Sequence, residues 1–322
     1  MPSGKRKQQQ ESSSDDSQFE DHSEHSEHSE PESEPVSEPV SEPVSESDSE
    51  SDLKQTTKRK KPNEANTAHT ASHPQCPPPH KAPPGQISRN TLDFLNCLRY
   101  EHCNQRDWLN DEFNNATYKC QFSEFNDFTQ QFVTRAIDLD DNLPPYPSKD
   151  LVYRLSRDLR FAHDKTPYRK QFMMTFSKTG RKGVCAGYHL MVQPNGRTLF
   201  AVGKWQAEKD ELASIRHHIL TDPQPLLDVI GEDAFVKNFG SPNAREKGKR
   251  ESLFGMDDEL KVAPKGCAKD HPHIDLLKLR SFIVERRFSD NEVTSEGFLD
   301  TLMESVKISK PLVDLLNDWM GV

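Results

Sequence analysis

The 322-residue chain carries 42 Lys+Arg against 52 Asp+Glu, but unevenly: residues 1–86 hold 9 Lys+Arg and 17 Asp+Glu, which leaves the other 236 residues at −2. A near-neutral body without a basic stripe interleaved with aromatics ranks nucleic acid last among partner classes. The lack of an N-terminal apolar segment, or of any run of about 18 apolar residues, argues against secretion and membrane spanning.

Glu11 to Asp52 contains sixteen acidic residues and no Lys or Arg, with His-Ser-Glu and then Pro-Val-Ser-Glu each repeated three times. Such a segment cannot bury enough apolar surface to offset its ordering entropy, so residues 1–86 are expected to form a disordered tail. Ser12, Ser13, Ser47 and Ser49 each precede an acidic residue by three positions, a pattern that suits an acidophilic kinase. Lys58-Arg59-Lys60-Lys61 is a compact cationic cluster of nuclear-import type, which implies a nuclear or nucleocytoplasmic protein. Residues 69–84, rich in Pro and His, read as an extended linker rather than a soft-metal site at His73, Cys76 and His80. Six cysteines without C-x-x-C pairs read as reduced thiols.

Residues 87–322 are expected to fold as one domain. Leu92, Leu95 and Leu98 recur at helical spacing after a cap at Ser88 or Asn90, and Trp108 with Phe113 marks a short second helix. Phe122, Phe125, Phe128, Phe132 and Ala136 place aromatics on the core face of a third. The period then changes. Alternation predicts strands at Tyr153 to Phe161, with Arg157 alone on the apolar face, and at Phe172 to Phe176, Tyr188 to Val192, Thr198 to Trp205 and Phe282 to Arg286. Asn195-Gly196 marks a tight hairpin. Further helices are expected at Glu208 to Leu220, Pro225 to Gly231, Ala234 to Phe239 and Pro272 to Leu279, then as two separate ones at Phe298 to Val306 and Pro311 to Trp319. The class is α+β: an antiparallel sheet of about four to five strands packed with N-terminal and C-terminal helices.

Arg154, Arg157, Asp158, Arg160, Phe161, Asp164, Lys165 and Tyr168 fill the pattern R-x-x-R-D-x-R-F-x-x-D/N-K-x-x-Y. The chain thereby resembles the uncharacterised family known as domain of unknown function (DUF) 2461, and its acidic N-terminal extension is similar to that of fungal members. Gly203 with Trp205, Ile215-Arg216, Ala263 to Gly266, Asp270 to Pro272 and Pro311 with Leu315-Leu316 extend the likeness over most of the folded region. Trp108-Leu109 and Gln206-Ala207 depart from it. The resemblance implies a fold and a site but no activity.

Guanidinium groups are planar forks suited to phosphate and carboxylate. Arg154, Arg157, Arg160 and Lys165 exceed Asp158 and Asp164 by two charges, so they are expected to bind an anionic small molecule, with Lys265 as a further contact. Asp158, Tyr168 and His271 are the side chains able to move a proton there. No feature identifies a reaction. Asp270, His271 and Asp275 lack diagnostic ligand spacing, so no metal and no cofactor is expected. The competing reading is a non-catalytic nuclear adaptor whose acidic tail engages basic proteins such as histones.

Overall fold

The computed structural model describes residues 75–160, 163–242 and 249–322. The acidic repeats, the Lys58 to Lys61 cluster, His73 and Phe161 lie outside the described residues.

The described chain touches the domain from its first residues, ahead of the boundary expected at residue 86. Thr117 Oγ1 donates to the Pro77 carbonyl, Asn90 Nδ2 to Pro78 and Gln121 Nε2 to His80. A proline-rich extended strand has no internal hydrogen bonds, so its carbonyls need outside partners, and these side chains supply them. Cys76 packs against the core, and the cysteines among the described residues are free thiols.

Helix α1 (Arg89–Cys97) starts at Ser88, whose hydroxyl accepts the Thr91 N–H at 3.3 Å. A short α2 (Arg106–Asn110) leads to α3 (Glu112–Ile137), capped by Asp111 through the Phe113 and Asn114 N–H groups. Phe125, Phe128, Phe132 and Ala136 are at most 1% exposed on its core face. Helix α4 (Ser148–Leu151) ends this section.

Strands β1 (Phe172–Ser177), β2 (Gly187–Val192), β3 (Thr198–Lys204) and β4 (Phe282–Phe288) form one antiparallel sheet in the order β1-β2-β3-β4. Phe172, Met174, Phe176, Tyr188, Leu190, Phe200, Val202 and Val284 alternate onto its core face and are sealed from solvent. The Asn195-Gly196 hairpin has both residues at positive φ, as a primed turn requires, and both N–H groups donate to Asp290. Gly203 sits at φ 126, where a Cβ would stand 2.1 Å from the Phe282 carbonyl oxygen; only glycine lets β3 and β4 approach there.

The strand expected from Tyr153 to Phe161 does not form. The described part pairs only at Val152 with Met174 and at Ser156 with Tyr168. Arg157 would have had to enter the apolar face. Instead the chain turns back on itself, the Arg157 N–H donating to Pro167 and the Arg169 N–H to Leu155.

Helices α5 (Lys209–Thr221), α6 (Gln224–Gly231) and α7 (Asp233–Phe239) precede α8 (Ile274–Lys278), which starts two residues later than expected. Arg216 on α5 ties α8 down, its guanidinium donating to the Leu277 and Leu279 carbonyls. A short α9 (Asp290–Val293) was not foreseen. The two C-terminal helices expected are one, α10 (Phe298–Met320), with Pro311 inside it. Pro311 and Lys307, whose carbonyl loses its usual N–H partner, both face solvent, so water can replace the missing bond. Among the described residues no helix is long and apolar enough to cross a membrane.

Candidate anion site

The arginine-rich segment is largely self-neutralised. Arg157 Nη1 pairs with Asp164 Oδ2 at 2.7 Å and also donates to the Thr166 hydroxyl and carbonyl. Arg160 grips Asp158 through both Nε and Nη2, the latter at 2.7 Å, and Lys165 Nζ donates to the Leu159 carbonyl at 3.2 Å. Hydrogen bonds from Arg160 hold the Asp158 carboxyl below its usual range. Those from Thr166, and then Arg157, hold Asp164 down to about 2. Arg154, Arg157, Asp158, Arg160 and Tyr168 do line one open cleft of about 510 Å³, joined by Arg106. Two of its three signature arginines already have a carboxylate.

Tyr168 is held by its backbone. Its N–H donates to Asn104 Oδ1 at 2.9 Å, and Asn104 Nδ2 donates back to its carbonyl at 3.1 Å. His271 lies in the loop before α8, where Nδ1 accepts the His273 N–H at 3.1 Å, and Lys265 is exposed on the same loop. Neither His271 nor Lys265 lines the cleft of the arginine segment. Among the described residues no group of three or more His, Cys, Asp or Glu is arranged to hold a metal ion.

Arg154 points the way to a second groove. Its charge reaches Asp158, yet it makes no ion pair or hydrogen bond with the described residues, and it lines a neighbouring groove of about 620 Å³. That groove is bounded by Lys149, Arg154, Arg169, Arg181 and Lys182, with Tyr153, Asn126, Phe122 and Val152, and no carboxylate. Three elements deliver these cations. Lys149 comes from α4, Arg154 and Arg169 flank the reversed loop, and Arg181 and Lys182 sit on the turn after β1. That turn is built by Gly180 at φ 76, whose carbonyl accepts the buried Ser177 hydroxyl, and by Gly183, where a Cβ would lie 1.5 Å from Thr179 Oγ1. Arg181 donates to the Val152 carbonyl and lies 5.0 Å from the centre of the Tyr153 ring. Arg169 Nε is buried without a hydrogen-bond partner, and a buried polar donor without an acceptor is costly. Lys149, Arg169, Arg181 and Lys182 had not been picked out from the sequence. The available signal was the pair Arg181-Lys182 between two glycines directly after a strand, a place where a turn presents cations outward.

Fold and site together define an α+β protein with one antiparallel sheet and a cation-lined groove beside β1. The chain belongs to the family described as Conserved hypothetical protein (DUF2461), whose profile matches residues 90–315. No curated protein and no solved structure matches it.

Proposed function

We propose that this protein binds a phosphate- or carboxylate-bearing small molecule in the groove formed by Lys149, Arg154, Arg169, Arg181 and Lys182. The observation that carries the reading is the convergence of five cationic side chains on one groove with no carboxylate among the lining residues. Like charges repel across such a groove, and an anionic ligand relieves the repulsion. The arginine-signature segment then serves as a frame. Its Arg157 side chain, bonded to Asp164 and Thr166, and the backbone bonds Arg157–Pro167 and Arg169–Leu155 hold the reversed loop that sets Arg154 and Arg169 on the same groove.

Calorimetric titration of the full chain with inorganic pyrophosphate tests this. Each charge-assisted hydrogen bond to phosphate contributes roughly 1.5–3 kcal/mol, so Arg169→Gln and Arg154→Gln should each weaken binding about tenfold or more. Arg157→Met should lower thermal stability while keeping most of the affinity of whatever fraction folds. If pyrophosphate binds Arg169→Gln and Arg154→Gln as tightly as the parent, the groove is not the site.

A further inference from the structure

One polar chain leads into the sheet from the groove. Tyr153 lines the groove, and its hydroxyl lies 3.2 Å from Thr175 Oγ1 on β1, which in turn lies 2.9 Å from His189 Nδ1 on the neighbouring strand β2. Thr175 and His189 are directly opposed in the β1–β2 register, so the contact is set by the sheet. The Gly203 backbone acts on the ring in the sense that favours its charged form, the effect of a carbonyl facing a ring N–H.

The two side-chain contacts fit either direction of donation, and the Gly203 carbonyl selects one ordering of protons. Burial pushes the imidazole down to about 4, so near neutral pH the ring carries a single proton. With Nδ1 facing Thr175, that proton sits on Nε2 toward Gly203, and Nδ1 is an acceptor. Thr175 therefore donates to His189 and accepts from Tyr153. The phenol proton points inward, leaving the oxygen with lone pairs only. Asn126 adds no bias of its own: its Nδ2 donates one N–H to the Phe122 carbonyl at 2.7 Å and keeps a second N–H beside Oδ1. A groove whose charged groups are all donors thus holds one neutral group that only accepts, the Tyr153 oxygen.

Resting on the anion reading above, we infer that the ligand carries its own hydrogen-bond donor beside its negative charge, as hydrogenphosphate or a hydroxyl-bearing phosphate ester does, and that the Tyr153 oxygen accepts from it. A fully ionised, donor-free oxyanion of the same size would find the Tyr153 lone pairs facing its own.

Inorganic phosphate and sulfate separate the two ideas, because above neutral pH hydrogenphosphate retains one P–OH and sulfate has none. In calorimetry on the full chain, phosphate should bind about tenfold or more tightly than sulfate, the ratio one hydrogen bond of about 1.4 kcal/mol supplies. Tyr153→Phe should remove most of that preference by weakening phosphate, while sulfate, freed of the opposing lone pairs, binds as well as before or better. Thr175→Val frees the phenol proton to point into the groove, so sulfate should gain and the preference shrink from the other side. Circular dichroism confirms that each variant is folded. Equal affinity for the two ions in the parent protein, or parallel weakening of both in Tyr153→Phe, overturns the inference and leaves the groove reading standing. If neither ion binds the parent, the groove reading falls and this one with it.

Discussion

The Glu124 carboxylate accepts the Ala82 N–H at 2.7 Å, and so joins the extended entry segment to the middle of α3. Glu124 is 1% exposed and forms no ion pair with the described residues. Its other partners are the Ser88 N–H and hydroxyl and the Thr91 hydroxyl, the last at 2.6 Å. A buried carboxylate is tolerated when donors replace its water, and here the same donors align the start of α1.

Glu124→Gln keeps the shape but turns one acceptor oxygen into a donor facing donors. It should cost about 3 kcal/mol, read from urea unfolding, because hydrogen bonds to a charged group are lost and a clash of donors is added. The entry segment should also become an early site of limited proteolysis. An unchanged midpoint and digestion pattern would show that residues 75–86 are held by their other contacts, those of Thr117, Gln121 and Asn90 and the Lys81–Asp127 pair.

His189 predicts a pH dependence. Its folded value, lowered by burial to about 4, lies below its ordinary value of 6.5. In that interval the unfolded chain takes up a proton that the folded chain refuses. The contribution of His189 is therefore complete above 6.5 and lost as pH falls toward 4. The melting temperature of the parent should drop more steeply over this window than that of His189→Gln. Superimposable pH profiles for the two would remove His189 from the account.

Pro311 lies inside α10 on the solvent side, without an N–H to give to the Lys307 carbonyl. Pro311→Ala should restore that bond and stabilise the fold by about 1 to 3 kcal/mol, visible as a higher denaturation midpoint. A loss of stability instead would mean that the ring makes packing contacts that outweigh the missing bond.

The strands legible in the sequence were those whose alternation was unbroken, such as Phe172, Met174 and Phe176. Where a single charged residue broke the pattern, at Arg157, the segment became a reversed loop, because its guanidinium found Asp164 and Thr166 locally. The entry segment was missed for a related reason. Thr117, Gln121 and Glu124 form a polar stripe along α3 that reads as a solvated face, yet all three are buried beneath residues 75–88, whose backbone groups they satisfy. Pro311 reads as a helix start because local propensity says so. Leu302, Val306, Leu312, Val313 and Leu316, all buried on either side of it, hold one continuous helix.

The candidate site followed the same division. The cationic richness of residues 154–165 is a property of composition, and composition alone establishes it. Which charges remain without a counterion is a matter of three-dimensional pairing. Asp158 and Asp164 neutralise their neighbours in sequence, while Arg154 meets Arg169, Arg181, Lys182 and Lys149 from separate elements with no acid among them. Periodicity and charge density are local quantities, written along the chain, and so the sequence by itself determined the class of fold and the excess of donors. Electrostatic balance depends on distance in space, and only the tertiary structure decided where that excess is left open.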